Sequence, residues 1–339
     1  MRSVKPLLAG AAAGAGGAML LASAGLLVLG QRFIREFTRP GMSVDPGDPL
    51  WGGWRFPAAV EEPPQARQRV VTFVSADGAI LQGEFWSQPD TAPTIIISHG
   101  FHLPCAHFRS VAALEYAHGV NVFLFDYRGH GQSAQIATTC GPAEVSDLLA
   151  AVEIAARQPE TRVHAVYIHG FSMGAAVALL LPPHPAVAGI IADSPYARLD
   201  EMILKVIALL FAEETAQLSG PTRVVRALIP ALSRLTYLSG QILYQARHRL
   251  WLAAHPERAI KQGLPCQGRE LFGSPPPILL IHAEQDPFIS VEHARRLAAA
   301  AREVGRPLVE YYTPSSVHCG SYGHDPSAYI ALLQCFLAA

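Results

Sequence analysis

The fold is decided by Val163-His164-Ala165-Val166-Tyr167-Ile168-His169, then Gly170-Phe171-Ser172-Met173-Gly174, then Ala175-Ala176-Val177-Ala178-Leu179-Leu180. An apolar run, a glycine-bracketed pentapeptide and a second apolar run read as strand, tight turn and helix. The pentapeptide has the form G-x-S-x-G in the context that makes a nucleophile elbow. Gly170 and Gly174 carry no Cβ, so strand and helix can approach closely. Ser172 is then held in a strained turn at the carboxyl end of a sheet. The N–H groups of the first helical turn lie beside it, ready for developing negative charge. A glycine-rich turn with an idle serine is the plain alternative, and the rest of the chain must decide between them.

Outward from the elbow, strand-like and helix-like runs alternate. Val70 to Val74 and Ala79 to Trp86 flank Asp77-Gly78 and read as a β-hairpin. Thr94 to Ser98 and Val120 to Phe125 read as buried parallel strands, and Val187 to Ala192, Ile278 to His282 and Leu308 to Tyr312 as further strands. Helices are expected over 105–118, 143–157 and 328–337. This order implies a mostly parallel sheet with helices on both faces, and active groups at the carboxyl ends of its strands. One segment, about 197–274, breaks the alternation and reads as a helical cap insertion. Its expected apolar faces are Met202, Ile203, Val206, Ile207, Leu210 and Phe211, and Val225, Leu228, Leu232, Leu235 and Leu238, the second interrupted at Pro230.

A serine hydroxyl needs a base within reach, and the base needs an orienting group. For this architecture the chain order is Ser, acid, His. Asp286 follows the strand ending at His282, and His318 follows the last strand. The expected catalytic set is therefore Ser172, Asp286 and His318. Glu284 and Asp193 stand as rival acids and His324 as a rival base, while His282 and His293 read as structural. Acyl transfer also needs an oxyanion hole. The backbone N–H of Met173 is expected to supply one donor. That of Phe101, in the loop His99-Gly100-Phe101-His102, is expected to supply the other.

These residues, with Phe125-Asp126-Tyr127-Arg128-Gly129-His130-Gly131-Gln132-Ser133, resemble the α/β-hydrolase superfamily, in particular its monoacylglycerol-lipase-like and serine-aminopeptidase-like members. Gly320 and Phe336 are similar to the closing pattern of that family. The likeness spans about 70–337. It implies an α/β-hydrolase fold and a serine triad, and it leaves the substrate open. The Asp126 to Ser133 loop is expected to shape the rim of the site.

The N-terminus is of another character. Arg2 and Lys5 precede an uncharged run from Pro6 to Gly30, and Arg32, Arg35 and Arg39 follow it. Roughly 20 apolar residues cross a bilayer, so 1–39 is expected to be a single membrane anchor. Ala22-Ser23-Ala24 has the form of a signal-cleavage site, which would instead give a secreted or periplasmic product. Residues 40–69 are a proline-rich linker carrying Trp51, Trp54 and Phe56, and 70–339 is the hydrolase domain.

The net charge of -1 gives no electrostatic footprint for nucleic acid. The five cysteines contain no C-x-x-C, so neither a zinc ribbon nor a dithiol motif is expected. No metal or organic cofactor is implied. The expected function is hydrolysis of a carboxylic ester or thioester, of small-molecule or lipid-like character, through an acyl-enzyme. A serine peptidase or perhydrolase on the same triad is the first alternative. The peptidase would need an acid near the cap, where Glu213 and Glu214 are available. A non-catalytic membrane-tethered binding module is the second.

Overall fold

The computed structural model describes residues 28–31, 34, 35, 37, 38, 61–216, 222–249, 251–262 and 274–339. Two compact units emerge: Thr38–Met202 with Ala253–Ala339, and Ile203–Leu252 with the N-terminal residues up to Phe37.

The larger unit holds an eight-stranded sheet. Strands β1 (Gln68–Val74) and β2 (Ile80–Trp86) form the expected hairpin, in register from Gln68↔Trp86 to Val74↔Ile80. Its turn is closed by Ser75 N–H on the Ala79 carbonyl (3.0 Å), with Gly78 at φ 90°. After β3 (Ala92–Ser98) come α1 (Arg109–Ala117), β4 (Asn121–Phe125), α2 (Pro142–Ala156), β5 (Thr161–Phe171), α3 (Met173–Leu180) and β6 (Val187–Asp193). Beyond the helical insertion lie α6 (Pro256–Gln262), β7 (Ile278–Ala283), α7 (Val291–Glu303), β8 (Leu308–Thr313), α8 (Ser321–His324) and α9 (Pro326–Ala338). The strand order is β1-β2-β4-β3-β5-β6-β7-β8, antiparallel at β1–β2 and β2–β4 and parallel from β4 onward.

Alternation along the buried strands explains the two covered faces. Ile95, Ile97, Val122, Leu124 and Phe171 join Phe108, Val111, Tyr329, Leu333 and Phe336 in one apolar cluster, so α1 and α9 cover that side. Ile96, Phe123 and Ile168, one residue out of phase, are also fully buried. From β3 the chain goes to β4 on one side, and later to β5 on the other. The strand order therefore reverses between β3 and β5, where open α/β sheets form a crevice at their carboxyl ends.

The helix expected over 105–118 begins as a 3-10 turn, Cys105–Phe108, before α1. In the smaller unit α5 (Thr222–His248) runs unbroken through Pro230. That residue is exposed, so water can serve the carbonyl that loses its N–H partner. Of the second expected apolar face of the insertion, Leu232 is half-buried and the side chain of Val225 lies outside the described residues. Leu228, Leu235 and Leu238 are exposed, and α5 buries Ile229, Ser233, Thr236, Gln241 and Tyr244 instead. The first face fares better: Ile203 and Ile207 of α4 (Leu199–Ala216) are buried.

The expected anchor lies outside the described residues up to residue 27, and the linker up to residue 60, with Trp51, Trp54 and Phe56, does too. Among the described residues no helix is long and apolar enough to cross a membrane. Cys105, Cys140, Cys319 and Cys335 are free thiols, and Cys266 lies outside the described residues.

The β5–α3 turn is as tight as its glycines allow. A Cβ at Gly174 would lie 2.0 Å from the Ser98 carbonyl oxygen, and one at Gly170 would lie 2.6 Å from the Ala175 backbone. Both obstacles are main chain and cannot rotate aside. Gly174→Ala is therefore expected to destabilise the protein by about 3 kcal/mol or more, the top of the usual overpacking range. Chemical denaturation checks this. An unchanged midpoint and slope would mean that the helix start is not confined by β3.

Candidate active site

Ser172 sits between β5 and α3 with φ 52° and ψ -110°, a backbone conformation that L residues rarely adopt. Two contacts hold it there. Its N–H donates to the Asp193 carbonyl at the end of β6 (2.9 Å), and its own carbonyl accepts the Ala176 N–H (3.1 Å). That second bond is the first of α3, so the Met173, Gly174 and Ala175 N–H groups precede the intrahelical ladder. The side chain of Ser172 is half-buried.

His318 and Asp286 come together from the loops after β8 and β7. Their Nδ1 and Oδ2 atoms are 2.6 Å apart, and both side chains are buried. The other Asp286 oxygen accepts the N–H groups of Phe288 (2.8 Å) and Ile289 (2.9 Å), which fixes the carboxylate. Burial alone would lower the His318 pKa, but the Asp286 carboxylate outweighs it and holds the imidazole well above its ordinary range. Burial likewise pushes Asp286 up, and the charge and hydrogen bond of His318 bring it below its ordinary value.

The rival groups are placed differently. Glu284 and His324 are exposed. His282 bonds the Ile289 carbonyl through Nε2 (2.9 Å), and His293 Nδ1 accepts the Ala197 N–H (3.2 Å). The side chains of Glu213 and Glu214 lie outside the described residues.

The elbow and the His318 loop are joined through the end of β6. Cys319 N–H donates to Ser194 Oγ (3.2 Å), and the Cys319 thiol lies 4.0 Å from the same Asp193 carbonyl that accepts the Ser172 N–H. The Asp193 side chain is fully buried and takes hydrogen bonds from Ser194 Oγ (2.9 Å) and Tyr329 OH (3.0 Å). Tyr329 in turn meets His169 Nε2 (3.0 Å), whose Nδ1 contacts Glu115. Burial raises the Asp193 pKa. Asp193 is thus tied to Tyr329 and Ser194, while His318 is tied to Asp286. Sequence reading missed this buried chain. Its only trace is a histidine and an aspartate inside apolar strands, His169 in β5 and Asp193 ending β6.

The loop after β3 is held by two neutral histidines. Burial pulls His99 down to about 4 and His130 down to about 3. His99 Nε2 accepts the Tyr127 N–H (2.9 Å), which leaves Nδ1–H to donate to the Gly100 carbonyl (2.8 Å). The Gly100–Phe101 peptide is trans, so the Phe101 N–H points opposite to that carbonyl. His130 Nε2 accepts the His102 N–H (3.3 Å) from the far side of the loop. Within the 126–133 stretch, the Asp126 carboxylate accepts the Cys105 (2.7 Å) and Gln132 (2.9 Å) N–H groups. Buried Arg128 pairs with Asp147 and Asp77. These contacts fix the stretch against the segment that follows β3.

Because His99 and His130 stay neutral when folded, the unfolded chain takes up their protons first as pH falls. Stability is therefore present above about pH 6.5 and is lost below it, by roughly 1.4 kcal/mol per pH unit for each residue. In denaturant titrations between neutral pH and pH 5, His130→Gln is expected to remove about that much of the slope. An unchanged slope would show that His130 already titrates normally in the folded protein.

Comparison with known proteins agrees with this architecture. Residues 95–331 match the model of the alpha/beta hydrolase family. The chain is 30% identical to the protein YqkD of Bacillus subtilis over 281 residues, 80% of either chain. The esterase Pf2001 of Pyrococcus furiosus superposes with a TM-score of 0.59 at 20% identity, over 83% of this chain and 95% of its own. Brefeldin A esterase, a bacterial homologue of human hormone sensitive lipase, superposes with a TM-score of 0.54 at 16% identity, over 93% of this chain and 84% of its own. With a tight strand–helix turn at Ser172, a reversal of strand order and a family match over 95–331, the chain belongs to the alpha/beta hydrolase family.

Proposed function

We propose that this hydrolase is a serine esterase or thioesterase working through an acyl-enzyme on Ser172. The observation that carries the reading is the buried His318–Asp286 hydrogen bond of 2.6 Å, on the loop that Ser194 ties to the elbow. In this reading Ser172 Oγ attacks the carbonyl carbon while His318 Nε2 takes its proton. Asp286 holds Nδ1–H and stabilises the imidazolium. The oxyanion receives the Met173 and Phe101 N–H groups, one such donor being worth about 3 kcal/mol to the transition state. His318 then returns the proton to the leaving alcohol or thiol. Water, activated by the same imidazole, releases the acid. The esterases of similar fold support a small-molecule ester as substrate. The uncharged run from Pro6 to Gly30 supports a membrane anchor and a lipid-like acyl group.

A fluorophosphonate probe is expected to label Ser172 in the folded protein. Ser172→Ala, Asp286→Asn and His318→Ala are each expected to lower kcat on p-nitrophenyl acetate by about 10³-fold or more, with unchanged unfolding midpoints. The base must be neutral to accept the serine proton, so kcat/KM should fall on the acid side of a limb above about pH 6.5. Residual turnover of Asp286→Asn should show this limb displaced downward, because the group that raises the imidazole is gone. Full activity in His318→Ala would sink the reading.

For the anchor, the full chain is expected in the membrane fraction after a high-salt wash. A soluble product beginning near Gly25 would instead show cleavage after Ala22-Ser23-Ala24.

A further inference from the structure

Helix α5 is built inside out for a helix in water. Leu228, Leu235, Leu238 and Ile242 recur at intervals of seven, three and four residues, so they share one stripe. They are 51, 45, 53 and 55% exposed. The side it buries carries the hydroxyls of Ser233 and Thr236, the Gln241 amide and the bare backbone of Gly240, beside Ile229 and Tyr244. A helix of a water-soluble unit turns its aliphatic side chains inward and its polar ones outward. The opposite order, with small and polar residues inside and leucines outside, is what packing against acyl chains selects.

Two further observations bear on what covers the stripe. The helix contains Arg223, Arg226, Arg234 and Arg247 and no Asp or Glu, and Arg249 follows it. Of these, Arg234, Arg247 and Arg249 are exposed. An aliphatic stripe with exposed arginines and no acid fits an anionic headgroup layer rather than a neutral protein groove. The N-terminal residues also approach this helix, at Ser239 and Gly240. A Cβ on Gly30 would lie 2.4 Å from Ser239 Oγ and 3.0 Å from Gly240 N, so the two backbones cross closely there. Val28 and Leu29, just before that approach, are exposed too. The chain leading to it is uncharged from Pro6 onward.

We infer that the outer face of α5 lies in the headgroup–acyl boundary of a bilayer containing anionic phospholipid. The stripe's aliphatic side chains enter the acyl region and the arginines meet the phosphates. This inference is separate from the esterase reading, since none of these residues belongs to the proposed catalytic set.

The test uses the full chain in vesicles of phosphatidylcholine with or without phosphatidylglycerol. Leu238→Cys and the unsubstituted chain are labelled alike with an environment-sensitive fluorophore. The unsubstituted chain supplies the background of the native thiols, including exposed Cys335. Turnover of p-nitrophenyl acetate, or an unchanged unfolding midpoint if the chain has no esterase activity, reports that the fold is intact. The expected result is a blue shift of the residue-238 signal in vesicles, its loss when the acyl chains carry a doxyl quencher, and a smaller effect without phosphatidylglycerol. Emission untouched by the acyl-chain quencher would overturn the inference, whether water or another protein surface covers the face. Equal quenching with and without phosphatidylglycerol would overturn the assignment to anionic lipid.

Discussion

The site depends on one close approach, the Gly174 backbone against the Ser98 carbonyl at the end of β3. Because no Cβ intervenes, α3 can begin beside β3 as well as β5. The turn before it then closes with Ser172 at positive φ. The same approach brings the first N–H groups of α3 next to the loop that leaves β3. Serine, helix start and the 99–102 loop thus form one assembly around the point where the strand order reverses. Backbone sterics set it, and hydrogen bonds from neighbouring strands hold it.

Around that assembly, burial selects the protonation states. For His99 and His130 burial is the largest effect, so both stay neutral and can each accept a backbone N–H. His318 is enclosed with Asp286, and the carboxylate reverses the effect of burial. Three histidines of one loop-rich edge therefore differ because of what each ring faces. Asp193 illustrates the same rule for a carboxylate. Two hydroxyl donors hold it and burial raises its pKa. It organises the end of β6 and leaves the pairing with His318 to Asp286.

The smaller unit follows another logic. Its longest helix keeps hydroxyls and an amide inside and leucines outside. The periodicity of Leu228, Leu235 and Leu238 announces one apolar face but says nothing about whether that face meets protein or something else. Hence the three leucines that the spacing places on one face are exposed.

The sequence by itself determined the alternation of strands and helices and the glycine-flanked turn at Ser172, and it offered Asp286 and His318, each after a strand, as the expected partners. Each of these rests on local rules: period-2 or helical spacing, glycine at a turn, and motif order. The hairpin, every later strand and the C-terminal helix fall within a few residues of where their patterns place them. Only the tertiary structure decided which acid the imidazole meets, because Glu284 and Asp286 are two residues apart and differ in burial rather than in local signal. It alone assembled Glu115, His169, Tyr329 and Asp193 into one buried chain. Those residues come from a helix, two strands and the C-terminal helix, so no sequence spacing connects them. Partnership between distant side chains is a property of packing, and packing is where the linear pattern stops.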